Sequence, residues 1–126
     1  MESMVFETGK LYYSGLEISC AGLEWNAHPS FNGVYLKHLI KGSETDNRFS
    51  AHLVKIDGHC MIGNHIHKEQ FELHEVISGR GKCSIKDKKI DYYPGVMALI
   101  PVDTDHKVHA AGDGIILMAK FTPALL

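Results

Sequence analysis

Two histidines one residue apart, His65 and His67, are followed by a carboxylate at Glu72 in this 126-residue chain. Their neighbours favour β-structure, and alternation along a strand sends both imidazoles to one face. Two imidazoles pointing the same way, met by a carboxylate from the next strand, supply three ligands for a metal ion. His106, in a second patterned stretch at 95–110, is the best candidate for a fourth. Glu75 competes for the carboxylate role, but it lies an odd number of residues from Glu72 and faces away on a regular strand. Three imidazoles and one carboxylate suit one divalent transition metal ion per chain: Fe, Mn, Ni, Co, Cu or Zn. Availability in the cell, rather than affinity, chooses among them. Four protein ligands on a six-coordinate ion leave two positions open, and an open position distinguishes a catalytic site from a structural one. Lewis-acid catalysis on a carbonyl and oxygen activation are both open to such a centre.

Other residues fall around this set. His74, two positions past Glu72, is expected on the same face. It serves either as a general acid–base, since histidine titrates near working pH, or as a support that orients Glu72. Arg48 and His52 share a face if a strand runs through 48–56, where they would hold an anionic substrate group; the alternative for Arg48 is an exposed rim position. His38 reaches the same pocket from the strand before. His109 is out of phase with His106 and is expected to face solvent.

Together the two stretches resemble the two motifs of the cupin superfamily. The first is a His-x-His pair, a Glu and a Gly, here His65, His67, Glu72 and Gly79, opened by Gly58 with one extra residue. Glu69 breaks that spacing. The second is represented by Gly95, Pro101 and His106, with Asp103 in place of the family's glycine and Ala110 in place of its asparagine. Aspartate tolerates a left-handed backbone better than most residues, so the turn survives the change. The resemblance spans roughly residues 34–121 and implies an all-β fold, a small antiparallel jelly-roll barrel or sandwich. It also implies that His65, His67, Glu72 and His106 ligate the metal. The implied function is a small-molecule metalloenzyme with oxygenase or isomerase/lyase chemistry; the alternative is a metal-dependent binding or sensor module.

The elements that must position these residues are short. From Val34 onward, strands punctuated by turn formers read at 34–40, 48–56, 61–67, 71–78, 82–85, 90–93, 96–100, 106–110 and 115–121. Gly79-Arg80-Gly81 is expected to turn the chain. Residues 1–33 hold two short strands and a turn-rich loop carrying Trp25 and Phe31, expected to pack on the barrel or on a partner subunit. The whole chain, 1–126, is expected to be one domain. On a strand through 71–78, Phe71, Leu73 and Ile77 form an apolar face opposite the Glu72 face. That face needs a cover, which points to a homodimer.

The formal charge of −2 with scattered basic residues excludes a cationic stripe, so no nucleic-acid partner is expected. No stretch has the length of a membrane span, and no membrane partner is expected. The N-terminus lacks the basic start and apolar run of a secretory signal. Cys20, Cys60 and Cys83 form no CxxC pair, and a reduced cytoplasmic setting is expected.

Overall fold

Alternating apolar residues and frequent turn formers give ten strands among the described residues, with one helical turn, Val5–Thr8 (α1), before them. The computed structural model describes residues 5–126. Strands β1 (Lys10–Tyr13) and β2 (Leu16–Ser19) pair as a separate hairpin. The others are β3 (Asn26–Ala27), β4 (Val34–Ile40), β5 (Ser50–Ile56), β6 (Met61–His65), β7 (Phe71–Ile85), β8 (Lys88–Tyr92), β9 (Met97–Ile100) and β10 (His106–Thr122).

All pairings are antiparallel, and two long strands organise them. The first half of β7 pairs with β9 and its second half with β8. The second half of β10 pairs with β5 and its first half with β6. The sheet therefore folds into two layers, β3-β4-β5-β10-β7-β9 over β6-β10-β7-β8, the jelly-roll arrangement expected.

The expected turn at Gly79–Gly81 is a bend within one strand. Register on β10 jumps from Gly79↔Ile115 to Gly81↔Ala110, leaving four β10 residues unopposed. That bulge lets both strands pass from one layer to the other without reversing. Gly79 takes φ +80°, and a Cβ there would collide with the Gly114 carbonyl oxygen. The stretches 106–110 and 115–121 are, for the same reason, one strand.

The interior between the layers is filled by Val34, Val54 and Ile56 from one side and Cys83, Tyr92, Val108 and Ala110 from the other. Full burial of each Val or Ile is worth roughly 1.5–3 kcal/mol against leaving it exposed. A second cluster, Ala51, Leu53 and Met118, lies on the outer face of β5 and β10, with Trp25 and Ile77 packed on it. The Lys37 and Lys55 ammonium groups sit 5.2 and 4.6 Å from the Trp25 ring centroid. Lys37 also donates to the carbonyls of Glu7 and Cys20, tying the N-terminal segment to the sheet. Among the described residues the cysteines are free, Cys20 and Cys83 being buried, and no helix is long and apolar enough to cross a membrane.

Candidate metal centre

One ligand atom from each of His65, His67, Glu72 and His106 lies within 4.8 Å of the other three. The set is assembled from both layers: Glu72 from β7, His65 from β6 and His106 from β10, where His106 pairs with His65 in register. His67 does not arrive by strand alternation. Strand β6 ends at His65, and His67 sits in the following loop, where its carbonyl accepts the Asp103 backbone N–H at 2.8 Å. Asp103 has φ +56°, the left-handed conformation expected of it. Phe31 closes the edge of the site beside His65, with ring centroids 6.5 Å apart. Gly63 makes room for it, since a Cβ there would come within 2.9 Å of the Phe31 ring.

Hydrogen-bond polarity says what belongs between these atoms. His65 Nδ1–H donates to the Gly63 carbonyl at 2.7 Å, and His106 Nδ1–H to the Thr104 carbonyl at 3.0 Å. Each ring therefore presents Nε2, and the lone pair of His106 Nε2 faces an acceptor, Glu72 Oε1, at 3.0 Å. His67 Nε2 lies 3.5 Å from the same oxygen. Lone pairs confronting one another at this distance call for a cation. Ligands about 2.1 Å from an ion stand roughly 3 Å apart at a right angle and about 4.2 Å apart across it, close to the separations found here. The donor set fits a divalent transition metal.

Glu72 is held as the anion. Its burial would push the carboxyl up, but the His74 charge and hydrogen bond hold it well below the usual carboxylate range. His74, itself buried, is displaced the other way: burial favours its neutral form, but the Glu72 carboxylate and contacts with Cys83 and Glu72 raise it to about 9. Both of its ring nitrogens are engaged, Nε2 with Glu72 Oε2 at 2.7 Å and Nδ1 with the Tyr92 hydroxyl at 2.8 Å. Tyr92 is 1% exposed, and burial with its Cys83 contact keeps the phenol protonated. Glu72 thus has one oxygen bound to His74 and the other turned to the three imidazoles. Tyr92→Phe would leave a buried His74 N–H without its partner. Supports behind a ligand typically contribute 10–100-fold in affinity, so metal binding is expected to weaken about tenfold, read by competition with a chelating dye.

The remaining candidates are placed as follows. Arg48 lies on an exposed bend before β5, because the strand begins at Ser50 rather than Arg48; the shared face with His52 does not form. Its carbonyl accepts the Thr122 hydroxyl at 2.8 Å. His52 is fully buried on the inner face of β5, with its ring 5.6 Å from Phe121, which is in turn 5.1 Å from His67. Glu75 faces outward and pairs with Lys120 at 2.8 Å, and His109 is exposed. Tyr92, Cys83 and Ser50 were not singled out from the sequence. Strand parity alone offers a signal for Tyr92, which sits opposite Gly81 on the inward side. A surface cavity of about 700 Å³ lies over the bend in β7 and β10, beside Asp57, Arg80 and Asp113, and contains none of these residues.

Burial also sets a pH dependence. It lowers the imidazoles of His65 and His52 to about 4, and those of His67 and His38 below their ordinary value. The unfolded chain takes up these protons near pH 6.5. A native pKa below the unfolded one gives stability that is full above about pH 6.5 and lost as pH falls through 4. His74 acts oppositely: its contribution is full below about 6.5 and fades as pH rises through 9. Metal-free protein is therefore expected to be most stable near pH 6.5–7. Its melting temperature should fall steeply on acidification and gently on the alkaline side, in thermal melts after chelation.

The sequence matches the cupin domain family over residues 52–119, more than half of the chain. The chain is a cupin. Solved structures agree on the fold. KdgF from Halomonas sp. superposes with TM-score 0.69 at 20% identity, over 79% of this cupin and 87% of that chain. A predicted oxalate decarboxylase from Thermotoga maritima gives 0.74 at 17% identity, over 82% and 95%. An RmlC-like cupin from Shewanella frigidimarina gives 0.71 at 18% identity, over 83% and 87%. Among curated proteins none matches the sequence.

Proposed function

We propose that this cupin is a metalloenzyme that acts on a small polar or anionic metabolite at an ion held by His65, His67, Glu72 and His106. The observation that carries this is the asymmetry of the ligand set: Glu72 and His106 are buried, while His65 and His67 are only partly so. Open coordination positions would then lie on the histidine side, where a small molecule can enter. When bound, the ion would supply Lewis-acid or oxygen-activating chemistry. The protein's own residues fix the charge and geometry: Glu72 stays ionised, His74 and Tyr92 hold it to one orientation, and Phe31 and Phe121 wall the site against water. His74 is a positioning residue here, since neither of its nitrogens is free for substrate. The test is elemental analysis of protein from its native host, followed by oxygen-uptake and product screens with small metabolites. Stoichiometric metal with turnover of a small metabolite supports the reading; protein without metal, or metal-loaded protein inert to every small metabolite screened, contradicts it.

A homodimer is part of the same proposal. Phe71, Met97 and Leu99 are exposed side by side on β7 and β9, and Tyr12 and Leu16 are exposed on the N-terminal hairpin. Apolar surface of this kind on a small domain calls for a cover. Sedimentation is expected to give about twice the 14.0 kDa chain mass, falling to one chain in Leu99→Asp; a wild-type monomer would contradict it.

A further inference from the structure

A second pair of imidazoles lies inside the barrel, one aromatic ring away from the metal centre. His38 on β4 pairs in register with His52 on β5, and their Nδ1 atoms are 2.8 Å apart. His52 Nε2 contacts Ser50 Oγ at 2.9 Å, and Ser50 Oγ accepts the Leu125 backbone N–H at 2.8 Å. His52 and Ser50 are fully buried, where apolar residues of similar volume would fill the space without needing partners.

The direction of this chain follows from its fixed end. The Leu125 N–H can only donate, so it occupies a lone pair of Ser50 Oγ. No other acceptor takes the Ser50 proton among the described residues, so Ser50 O–H donates to His52 Nε2. His52 is then the Nδ1–H tautomer and donates to His38 Nδ1. That leaves His38 with its proton on Nε2. No protein group accepts it among the described residues, and it is not a fully buried unpaired atom, so it keeps some access to solvent on a half-buried residue. Burial holds both rings neutral, consistent with one shared proton between them.

We propose that His38 Nε2–H is a ligand-binding donor for an oxygen acceptor, a carboxylate or carbonyl of the small molecule taken into the barrel. Ser50 and His52 are positioning residues that fix its proton. The proposal rests on the small-molecule reading above and adds the group that would orient the ligand. Phe121 links the two sites, with its ring 5.6 Å from that of His52 and 5.1 Å from that of His67. A ligand bound near the metal and to His38 would be sorted by the position of its acceptor oxygen.

The test uses zinc-loaded full-length protein, with imidazole tautomers read by long-range ¹H–¹⁵N correlation and acetate titrated as the probe. His52 is expected as the Nδ1–H form and His38 as the Nε2–H form, and acetate is expected to move the His38 Nε2 resonance to saturation. Ser50→Ala should lose the tautomer order and His38→Leu should bind acetate about tenfold more weakly, the scale of one lost hydrogen bond. His38→Gln, which keeps a donor near the same place, should recover part of the affinity. Zinc content should be unchanged in all three variants. A reversed tautomer, or acetate that leaves His38 unmoved, would overturn the proposal. Failure of the wild type to hold zinc would instead count against the metalloenzyme reading, and the His52 and His38 tautomers of the zinc-free protein would still decide the donor's polarity.

Discussion

His106→Ala is expected to empty the metal centre while the β-structure persists. His106 is 1% exposed, offers one of the four atoms that could ligate a metal, and is fixed by its bond to the Thr104 carbonyl. Residues that merely support a ligand contribute 10–100-fold in affinity, so deleting a ligand should cost more than about a hundredfold. Neighbouring ligands compensate little, because each imidazole is held by its own strand or loop. His65→Ala should behave alike. His109→Ala, three positions along the same strand but exposed, is the control and should retain full metal. Elemental analysis of each purified variant beside circular dichroism decides the matter. Equal metal in His106→Ala and wild type would remove His106 from the centre.

Glu72→Gln is expected to cost both metal and stability. Glu72 is 5% exposed and faces His74 at 2.7 Å and His106 at 3.0 Å. An amide keeps the shape but loses the charge, leaving a buried His74 without its counter-ion. Removing one partner of a buried pair typically costs about 3–5 kcal/mol, and the retained amide contacts place the expectation near the low end. Denaturant titration of chelated protein reads that loss, and metal-loaded wild type should gain stability that the variant does not. Glu75→Gln separates this from a general effect of charge on β7. Its pairing with Lys120 is part-exposed on both sides, so its loss should cost less than about 1 kcal/mol.

The grouping of His65, His67, Glu72 and His106, which could hold a metal, was legible in the sequence because it depends on local spacing and on two motifs that resemble a known family. His65, Glu72 and His106 lie on strands as the patterns imply. His67 reaches the centre by a different route, from a loop held by Asp103, because β6 ends two residues before it and alternation does not apply. The jelly-roll layout was legible in the same way, strand by strand. The Gly79 bend was not, since a positive-φ glycine in a tight turn and one at a strand bend look the same in a one-dimensional pattern. Arg48 illustrates the same limit: a two-residue shift in where β5 starts takes it out of the strand's alternation and onto an exposed bend. The supports of the site were least legible. Tyr92 meets His74 across 18 residues and His38 meets His52 across 14, contacts that only register between strands creates.

The most direct measurement is anomalous X-ray diffraction at the metal's absorption edge from crystals of protein purified without added chelator. The expected result is one peak per chain, about 2.0–2.2 Å from Nε2 of His65, His67 and His106 and from one oxygen of Glu72. Protein that contains metal by elemental analysis but shows no peak there, or a peak at some other cluster, would contradict the assignment of these four residues.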